Sequence, residues 1–269
     1  MSLLSRMFYL LSRITPFRKF LWRGWYDYLA DRYRNADWTF MNYGYEDGSD
    51  SRLKLAPEEE TDRYCIQLYN HVAGAIDLSR SEVLEVGSGR GGGASFIKRY
   101  LRPLKMVGVD LSQNAVDLSR ATHAVDGLEF HQGDAERLPF EPESFDAVVN
   151  VESSHCYPSL EAFLAEVRRV LRPGGYFLYA DFRDRSGVDE WRRCLENSGL
   201  KIIRETNITP QVLASLDADH ERKLALIKEL VPRLLHRSVS DFAALRGSFV
   251  YEAFRTGKFV YRSYVMQKQ

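Results

Sequence analysis

Glycines in the stretch VLEVGSGRGGG, residues 83–93, are the residues best placed to hold a ligand. One of them allows a turn with positive φ, and the others let a ligand approach the bare backbone. The helix-forming segment that follows would present unpaired N–H groups and the positive end of its dipole to that ligand. A short apolar strand, a glycine turn and a helix are typical of a nucleotide-binding βα unit. The glycines alone do not distinguish between nucleotide ligands.

Three acidic residues lie where a ligand would bind, and two of them, Glu85 and Asp134, narrow the choice between NAD and other nucleosides. Asp110 ends the second predicted strand, where an acid accepts hydrogen bonds from ribose hydroxyls. Glu85 lies inside the first strand, where a dinucleotide-binding turn usually has an apolar residue, so its carboxylate can face a cationic amino-acid ligand. Asp134 follows the third strand and can accept from an adenine amino group, while the Ala135 backbone contacts the adjacent ring nitrogen.

His155 is the residue best suited to act as a general base. It follows the fourth predicted strand in ESSHCYPS. A free imidazole has a pKa of about 6.5 and is therefore largely neutral at pH 7. Glu152 of the same loop can orient His155 or contact the cofactor. A structural loop histidine is the competing interpretation. No cluster of His, Cys, Asp and Glu has the spacing of a metal site, so we predict that the reaction needs no metal.

Alternating strands and helices must position these residues. The apolar patterns predict strands at 82–87, 106–110, 128–131, 145–151, 176–180, 200–206 and 259–266, with a turn at 171–175 leading into the fifth. This alternation implies a parallel sheet with helices on both faces. Because ligands bind beyond the carboxyl ends of such strands, the polar candidates would meet there. Residues 209–247 read as two or three helices with no strand between them, which we interpret as an inserted lid.

The N-terminal segment is unusually rich in basic and aromatic residues. Residues 1–35 are basic and aromatic and predict one or two amphipathic helices broken near Pro16. They form either a cap packed on the core or a surface that touches a membrane or a lipid-like substrate. Trp38, Tyr43 and Tyr45 of WTFMNYGY predict a gate over the active site, with a hydrophobic plug as the alternative.

Overall composition limits the class of protein. The 269 residues suit one α/β domain with embellishments. The 37 basic and 37 acidic residues cancel, so a global nucleic-acid footprint is not supported. Three scattered cysteines without a CxxC spacing favour a reducing, cytoplasmic setting. No apolar run approaches the roughly 20 residues of a membrane span, and no signal-peptide cleavage site is evident.

Several motifs in order resemble the class I S-adenosylmethionine-dependent methyltransferases. They are VLEVGSGRGG, VGVDLS, GDAERLPF, FDAVVNVESSHCYPS and VLRPGGYFLYADF, all within about residues 80–182. The likeness is to the small-molecule branch, near the tocopherol and sterol methyltransferases. The FMNYGY and ESSHCYPS segments and the tail extend it to actinobacterial lipid O-methyltransferases of the phthiotriol dimycocerosate and fatty-acid type.

This resemblance implies a Rossmann-like α/β fold with strand order 3-2-1-4-5-7-6 and an antiparallel last strand. The expected division is an N-terminal helical cap and gate (1–55), a cofactor-binding core (56–208), a helical lid (209–247) and a last helix and strand (248–269). By resemblance, the loop glycines hold the methionine part of S-adenosylmethionine with Glu85 behind them, Asp110 takes the ribose, and Asp134 with Ala135 takes the adenine. The expected cofactor-binding residues are Glu85, Gly87, Ser88, Gly89, Gly91, Asp110, Leu111, Asp134, Ala135 and Asn150.

The chemistry that the resemblance implies is in-line methyl transfer. The protein then has to align the acceptor behind the methyl group and exclude water. We predict O-methylation of a hydrophobic hydroxyl or carboxyl compound, such as a lipid or polyketide, with His155 as the base, Glu152 beside it and Tyr157 as a further substrate contact. Two alternatives stay open: C-methylation of an alkene-bearing lipid, and cyclisation or rearrangement without methyl transfer. A homodimer and a peripheral membrane contact through residues 1–35 also stay open.

Overall fold

The protein is described by a computed structural model that covers residues 39–48 and 53–269. The strands are β1 (Glu82–Val86), β2 (Lys105–Asp110), β3 (Leu128–Gln132), β4 (Phe145–Val151), β5 (Leu171–Asp184), β6 (Leu200–Asn207) and β7 (Phe259–Lys268). The helices are α1 (Arg63–Ala73), α2 (Gly92–Phe96), α3 (Gln113–Thr122), α4 (Leu160–Val170), α5 (Val188–Glu196), α6 (Thr209–Ala218), α7 (His220–Leu230), α8 (His236–Phe242) and α9 (Phe249–Arg255). The predictions for residues 1–35 and for Trp38 lie outside the described residues.

All seven strands form one sheet in the order β3-β2-β1-β4-β5-β7-β6. Strands β1 to β5 pair in parallel, whereas β7 runs antiparallel to both β5 and β6. This confirms the strand order and the antiparallel last strand expected from the resemblance. The carboxyl ends of β1, β2, β4 and β5 therefore meet along one edge, where the candidate polar residues lie.

The central strands are apolar along their length because both faces of the sheet are covered. Val83 and Val149 pack into the core on one face. Leu84 and Val148, their neighbours in sequence, pack into the core on the other face. Side chains that alternate between the faces with a period of two thus fill two separate cores.

Strand β5 is longer than predicted at both ends. Leu171 already pairs with Phe145, and the register shifts before Tyr176 pairs with Ala147. The predicted turn at 171–175 is therefore an irregularity within the strand, with Gly174 at φ +78°. At the other end the strand continues to Asp184 because it pairs with β7, a neighbour distant in sequence. This extension carries Asp181 within the sheet.

Residues 209–242 contain three α-helices, α6 to α8, with no strand between them in this described stretch. This agrees with the two or three helices predicted there. The division of the chain into cap, core, lid and last helix–strand stays a prediction. No helix within residues 39–48 and 53–269 combines the length and apolar character needed to cross a membrane.

The aromatic core beneath α4 gives a test of the packing. Phe163 is 0% exposed, and its ring centroid lies 4.9 Å from that of Tyr157 and 5.8 Å from that of Phe177. We expect Phe163→Ala to lower the free energy of unfolding by about 3–5 kcal/mol, since it leaves a cavity that the neighbours only partly fill. Urea unfolding followed by circular dichroism measures the change. Leu104→Ala, at a side chain that is 66% exposed, is the control and should stay within about 0.5 kcal/mol. Equal effects of the two substitutions would contradict the packing.

Candidate active site

The glycine loop after β1 is tied to the neighbouring strand. The backbone N–H groups of Gly87 and Ser88 donate to the Val109 carbonyl at 2.8 and 3.0 Å. Gly87 has φ +77°, and a Cβ added there would lie 1.9 Å from Oγ of Ser153. A side chain is therefore excluded both by the backbone conformation and by the loop after β4.

Asp110, at the end of β2, orients the same loop. Its Oδ2 accepts from the Gly89 N–H at 2.8 Å and its Oδ1 accepts from the Ser112 N–H at 2.9 Å. A carboxylate oxygen can accept from more than one donor. Asp110 is thus held in place by the backbone and can still accept from a ligand hydroxyl.

A cavity lies beyond the carboxyl ends of the central strands. The sequence-predicted residues in its lining are Gly87, Ser88, Gly89, Asp110, Leu111, Asp134, Ala135, Glu152 and Tyr157. Those outside its lining are Glu85, Gly91, Asn150, His155, Tyr43 and Tyr45. Gly91 instead caps the N-terminus of α2 at φ +82°. The cavity is also lined by residues that sequence reasoning did not assign, Phe40, Met41, Tyr69, Cys156 and Ser153 among them.

Glu85 lies behind the glycine loop and is 0% exposed. Its Oε1 accepts from the Tyr69 hydroxyl at 2.6 Å, whereas its Oε2 is buried without a hydrogen-bond partner among the described residues. Burial raises the pKa of Glu85 to about 8, although the Tyr69 hydroxyl and the Ala94 N–H oppose the shift. Because the folded protein binds this proton more tightly than the unfolded chain, stability falls as the pH rises from the ordinary carboxyl pKa through about 8.

Asn150 is buried at the end of β4 beside the same loop. Its Nδ2 donates to the Val86 carbonyl at 2.8 Å and to the Tyr157 hydroxyl at 3.1 Å. Its Oδ1 and the Ser88 hydroxyl are buried without partners among the described residues, as is Oε2 of Glu85. Buried polar atoms are normally hydrogen-bonded. These three next to one cavity fit a ligand that carries several donors, as an amino-acid-linked nucleoside does.

His155 is held by Asp181, a residue of β5. Nδ1 of His155 donates to Oδ1 of Asp181 at 2.8 Å, and the His155 backbone N–H donates to Oδ2 at 2.9 Å. Asp181 is fully buried and also accepts from the Ser154 hydroxyl at 2.6 Å. An ion pair of 3.1 Å joins it to Arg183. The carboxylate that orients the imidazole is therefore Asp181 and not Glu152.

The charges of Asp181, His155 and Arg183 determine which of these groups carries a proton. Burial raises the pKa of Asp181, but Arg183 and His155 lower it by more, and the net pKa lies well below its usual range. Burial lowers the pKa of His155, but the Cys156 sulfur and the Asp181 carboxylate raise it by more, to about 10. The imidazole is thus a strong proton acceptor whose charged form is stabilised at neutral pH.

Glu152 lines the cavity in the loop that follows β4 and has a left-handed backbone, φ +48°. Its Oε1 accepts from the Tyr43 N–H at 2.8 Å and from the Tyr261 hydroxyl at 2.9 Å. Burial raises the pKa of Glu152 to about 7, while these two donors oppose the shift. Glu152 therefore joins the cavity to the segment that contains Tyr43.

Two aromatic side chains of that segment, Tyr43 and Tyr45, do not line the cavity. The Tyr43 ring packs on Phe182 and Phe254, each at 5.6 Å between centroids. The Tyr45 ring stacks on His71 at 4.4 Å. Residues 39–42 of the same segment line the cavity instead. The role of the segment as a gate stays a prediction.

Sequence reasoning missed two side chains for different reasons. Asp181 follows the predicted fifth strand in YADF, so the rule that singled out Asp110, an acid at a carboxyl end, also applied to it. Tyr69 had no such signal, because its position depends on α1 packing against the glycine loop. A Cβ added to Gly93 would lie 2.1 Å from the Tyr69 ring.

No group of three or more His, Cys, Asp or Glu in the described part of the chain could hold a metal ion.

Comparison with known sequences places these features in a family. A family model described as a methyltransferase domain matches residues 84–179. The chain is 40% identical over 243 residues to a fatty-acid O-methyltransferase of Mycolicibacterium smegmatis, covering 90% of this chain and 88% of that protein. It is 38% identical over 266 residues to a phthiotriol/phenolphthiotriol dimycocerosates methyltransferase of Mycobacterium tuberculosis, covering 98% of each.

Solved structures share the fold. A geranyl diphosphate methyltransferase in complex with geranyl diphosphate and sinefungin superposes with a TM-score of 0.66 at 19% identity, covering 91% of this chain and 99% of the other. The [4+2]-cyclase SpnF superposes with a TM-score of 0.68 at 18% identity, covering 91% and 94%. At these identities the likeness shows the fold alone.

The glycine loop, the acids at the strand ends and the buried polar atoms without partners fit S-adenosylmethionine, which is the cofactor. The mycobacterial relatives match over nearly the whole chain, at 38–40% identity. The chain therefore belongs to the S-adenosylmethionine-dependent methyltransferases, in the family that includes these two mycobacterial enzymes.

Proposed function

We propose that this enzyme methylates an oxygen atom of a hydrophobic small molecule, such as a lipid, a polyketide or another secondary metabolite. The observation that carries the proposal is the contact between His155 and the buried Asp181, beside the cavity that fits the cofactor. Such a pair can take the proton of a hydroxyl. Support comes also from the relatives, which are named for a fatty acid and for phthiotriol dimycocerosates.

In this proposal each part of the cofactor is held by residues of the glycine loop after β1 or of the neighbouring strand ends. Glu85 and the loop glycines hold the amino-acid part, where the unpartnered Oε2 of Glu85 suits a cationic group. Asp110 accepts from the ribose, and Asp134 with the Ala135 backbone holds the adenine; all three line the cavity. When bound, S-adenosylmethionine supplies a methyl group already activated by a sulfonium.

His155 acts on the acceptor. Its Nδ1–H is committed to Asp181, so the acceptor proton is taken at Nε2. The bound cofactor would supply the methyl group to the acceptor oxygen with its own carbon–sulfur bond broken, and the proton of the acceptor would pass to the imidazole. A cationic group bound nearby would lower the pKa of His155 before the transfer. Once that positive charge is lost, the ring would hold the proton more tightly.

The covering elements exclude water in this proposal. Residues 39–42 line the cavity, and the Ser215 hydroxyl of α6 donates to the Tyr43 carbonyl at 2.8 Å. We propose that this segment is the gate and that residues 209–247 are the lid that closes with it. Exclusion of water strengthens every electrostatic interaction in the site.

The two alternatives are not favoured. C-methylation and cyclisation are the activities of solved structures that share only the fold, at 16% and 18% identity. Relatives that match over nearly the full chain are named as methyltransferases, one of them as an O-methyltransferase.

The base is tested by His155→Ala. We expect the variant to fold, to bind S-adenosylmethionine as the wild type does, and to lose about 10²–10⁴-fold in kcat, the usual contribution of a positioned base. Methyl-labelled cofactor and a panel of lipid alcohols and acids measure turnover, and calorimetry measures cofactor affinity. If His155→Ala turns over the best acceptor nearly as fast as the wild type does, His155 is not the base. Alignment of the acceptor with the methyl group would then be the remaining source of catalysis.

The pairing with Asp181 is tested by the pH dependence. Cys156 and Asp181 raise the pKa of His155 to about 10, and a bound cationic cofactor would lower it from there. We therefore expect kcat of the wild type to rise with pH above 7 as the base form increases, and to level off below about pH 10. Asp181→Asn removes the carboxylate, so the rising limb should move to lower pH. Ser154→Ala deletes another donor to the same carboxylate and should leave the limb in place. An unmoved limb in Asp181→Asn argues against the pairing.

The charge behind the glycine loop is tested through cofactor binding. Glu85 resists ionisation up to about pH 8, and a cationic ligand favours the ionised form. We expect the affinity of the wild type for S-adenosylmethionine to rise from pH 6 to 8, with proton release seen by calorimetry in two buffers. Glu85→Gln should abolish this rise, and Glu129→Gln, at an acid ion-paired with Lys105, should keep it. The assignment fails if Glu85→Gln follows the wild type.

A further inference from the structure

Residues 39–46, here called the cover, contact the cavity on one side and three separate elements on the other. Residues 39–42 line the cavity. The Tyr43 N–H bonds to Glu152, the Tyr43 carbonyl accepts from Ser215, and the Tyr45 N–H bonds to the Tyr64 carbonyl at 2.9 Å. These bonds lie outside any regular secondary structure, so each one contributes separately to holding the cover in place.

Glu152 lines the cavity, as residues 39–42 do, and it is one of the residues to which the cover is bonded. Its own N–H donates to the Ala180 carbonyl at 2.9 Å, which pins its backbone to β5. Its φ of +48° is unusual for a residue with a side chain. A backbone held in this region needs surrounding contacts to maintain it. Here a single carboxylate oxygen receives both the Tyr43 N–H and the Tyr261 hydroxyl.

The far side of the cover is fastened to α6. Besides the Ser215 bond, the Glu46 N–H donates to the Gln211 carbonyl at 3.0 Å. Gly44 has φ +85°, and a Cβ added there would lie 2.2 Å from the Ser215 hydroxyl. The cover is therefore packed closely against α6 at the same point where it bonds to Glu152 through Tyr43.

We propose that Glu152 is a positioning residue that clasps the cover over the cavity and couples it, through Tyr43 and Ser215, to helix α6. The proposal rests on the proposed function, because admission of the acceptor and release of the cofactor product both require the cover to open. Opening breaks the hydrogen bond from the Tyr43 N–H to Oε1 of Glu152, while the Tyr261 hydroxyl of β7 still donates to that oxygen. The side chain thus links the state of the cavity to the position of α6.

Matched variants separate a clasp from a direct action on ligands. Glu152→Gln keeps an oxygen that accepts from Tyr43 and Tyr261, whereas Glu152→Ala removes it. We expect Glu152→Ala to speed deuterium exchange at the Tyr43 amide by at least about tenfold, the factor expected for losing one hydrogen bond to a charged group. Glu152→Gln should stay within about threefold of the wild type, since a neutral acceptor costs less. Mass spectrometry of a peptide spanning residues 39–48 measures the exchange.

Cofactor release gives a second readout. We expect S-adenosylmethionine to dissociate at least about tenfold faster from Glu152→Ala, by the same hydrogen-bond argument. Stopped-flow chase with excess S-adenosylhomocysteine measures this rate. Glu46→Ala is the control, since the Glu46 carboxylate accepts from the exposed Gly48 N–H of the same segment and not from a backbone group that faces the cavity, and both readouts should match the wild type.

Three outcomes would overturn the clasp. They are wild-type exchange at Tyr43 in Glu152→Ala, unchanged cofactor release in that variant, and losses in Glu152→Gln as large as those in Glu152→Ala. If Glu152→Ala does not fold, Tyr261→Phe and Ser215→Ala each remove one bond of the network and should each speed exchange in the cover. Exchange needs no acceptor, so a failure to find methyl transfer would count against the proposed function and leave this test intact.

Discussion

Carboxylates that lie partly or fully out of water at the ends of the strands need hydrogen-bond donors, and the donors that they find organise the candidate site. Transfer of an unpaired carboxylate into a protein interior is very costly. Asp110 is paired by the backbone of the glycine loop, Asp181 by the backbone and ring of His155, and Glu152 by the backbone of the cover. Each acid therefore fixes a loop that has no regular structure of its own.

The partners of these acids also decide their charge. Asp181 lies next to a guanidinium and an imidazole, which keep it ionised. Glu85 and Glu152 have mainly hydroxyl and N–H donors, and burial raises the pKa of each. Of these three carboxyls, Asp181 stays ionised, whereas Glu85 and Glu152 ionise near neutrality. In the proposed function the latter two respond to a cationic cofactor, and the first serves proton transfer.

Hydrophobic packing links the cover to the rest of the molecule. The Tyr43 ring contacts Phe182 of β5 and Phe254 of α9, and these two rings lie 5.4 Å apart. The cover is therefore held by aromatic contacts at one end of the sheet and by polar contacts at the cavity.

The sequence by itself determined the seven strands, the glycine loop and Asp110, since these depend on local patterns of apolar residues, glycines and strand ends. The motifs, through their resemblance to the class I methyltransferases, also predicted the cofactor. Three features were decided only by the tertiary structure. Asp181 and not Glu152 orients His155, and β5 extends to Asp184. Residues 39–42, rather than Tyr43 and Tyr45, face the cavity. Each of these depends on contacts between distant parts of the chain, such as the antiparallel pairing of β5 with β7 and the bond from Tyr43 to Glu152. A local pattern cannot specify such contacts, because the same residues could satisfy their hydrogen bonds with many other partners until the sheet order brings one of them close.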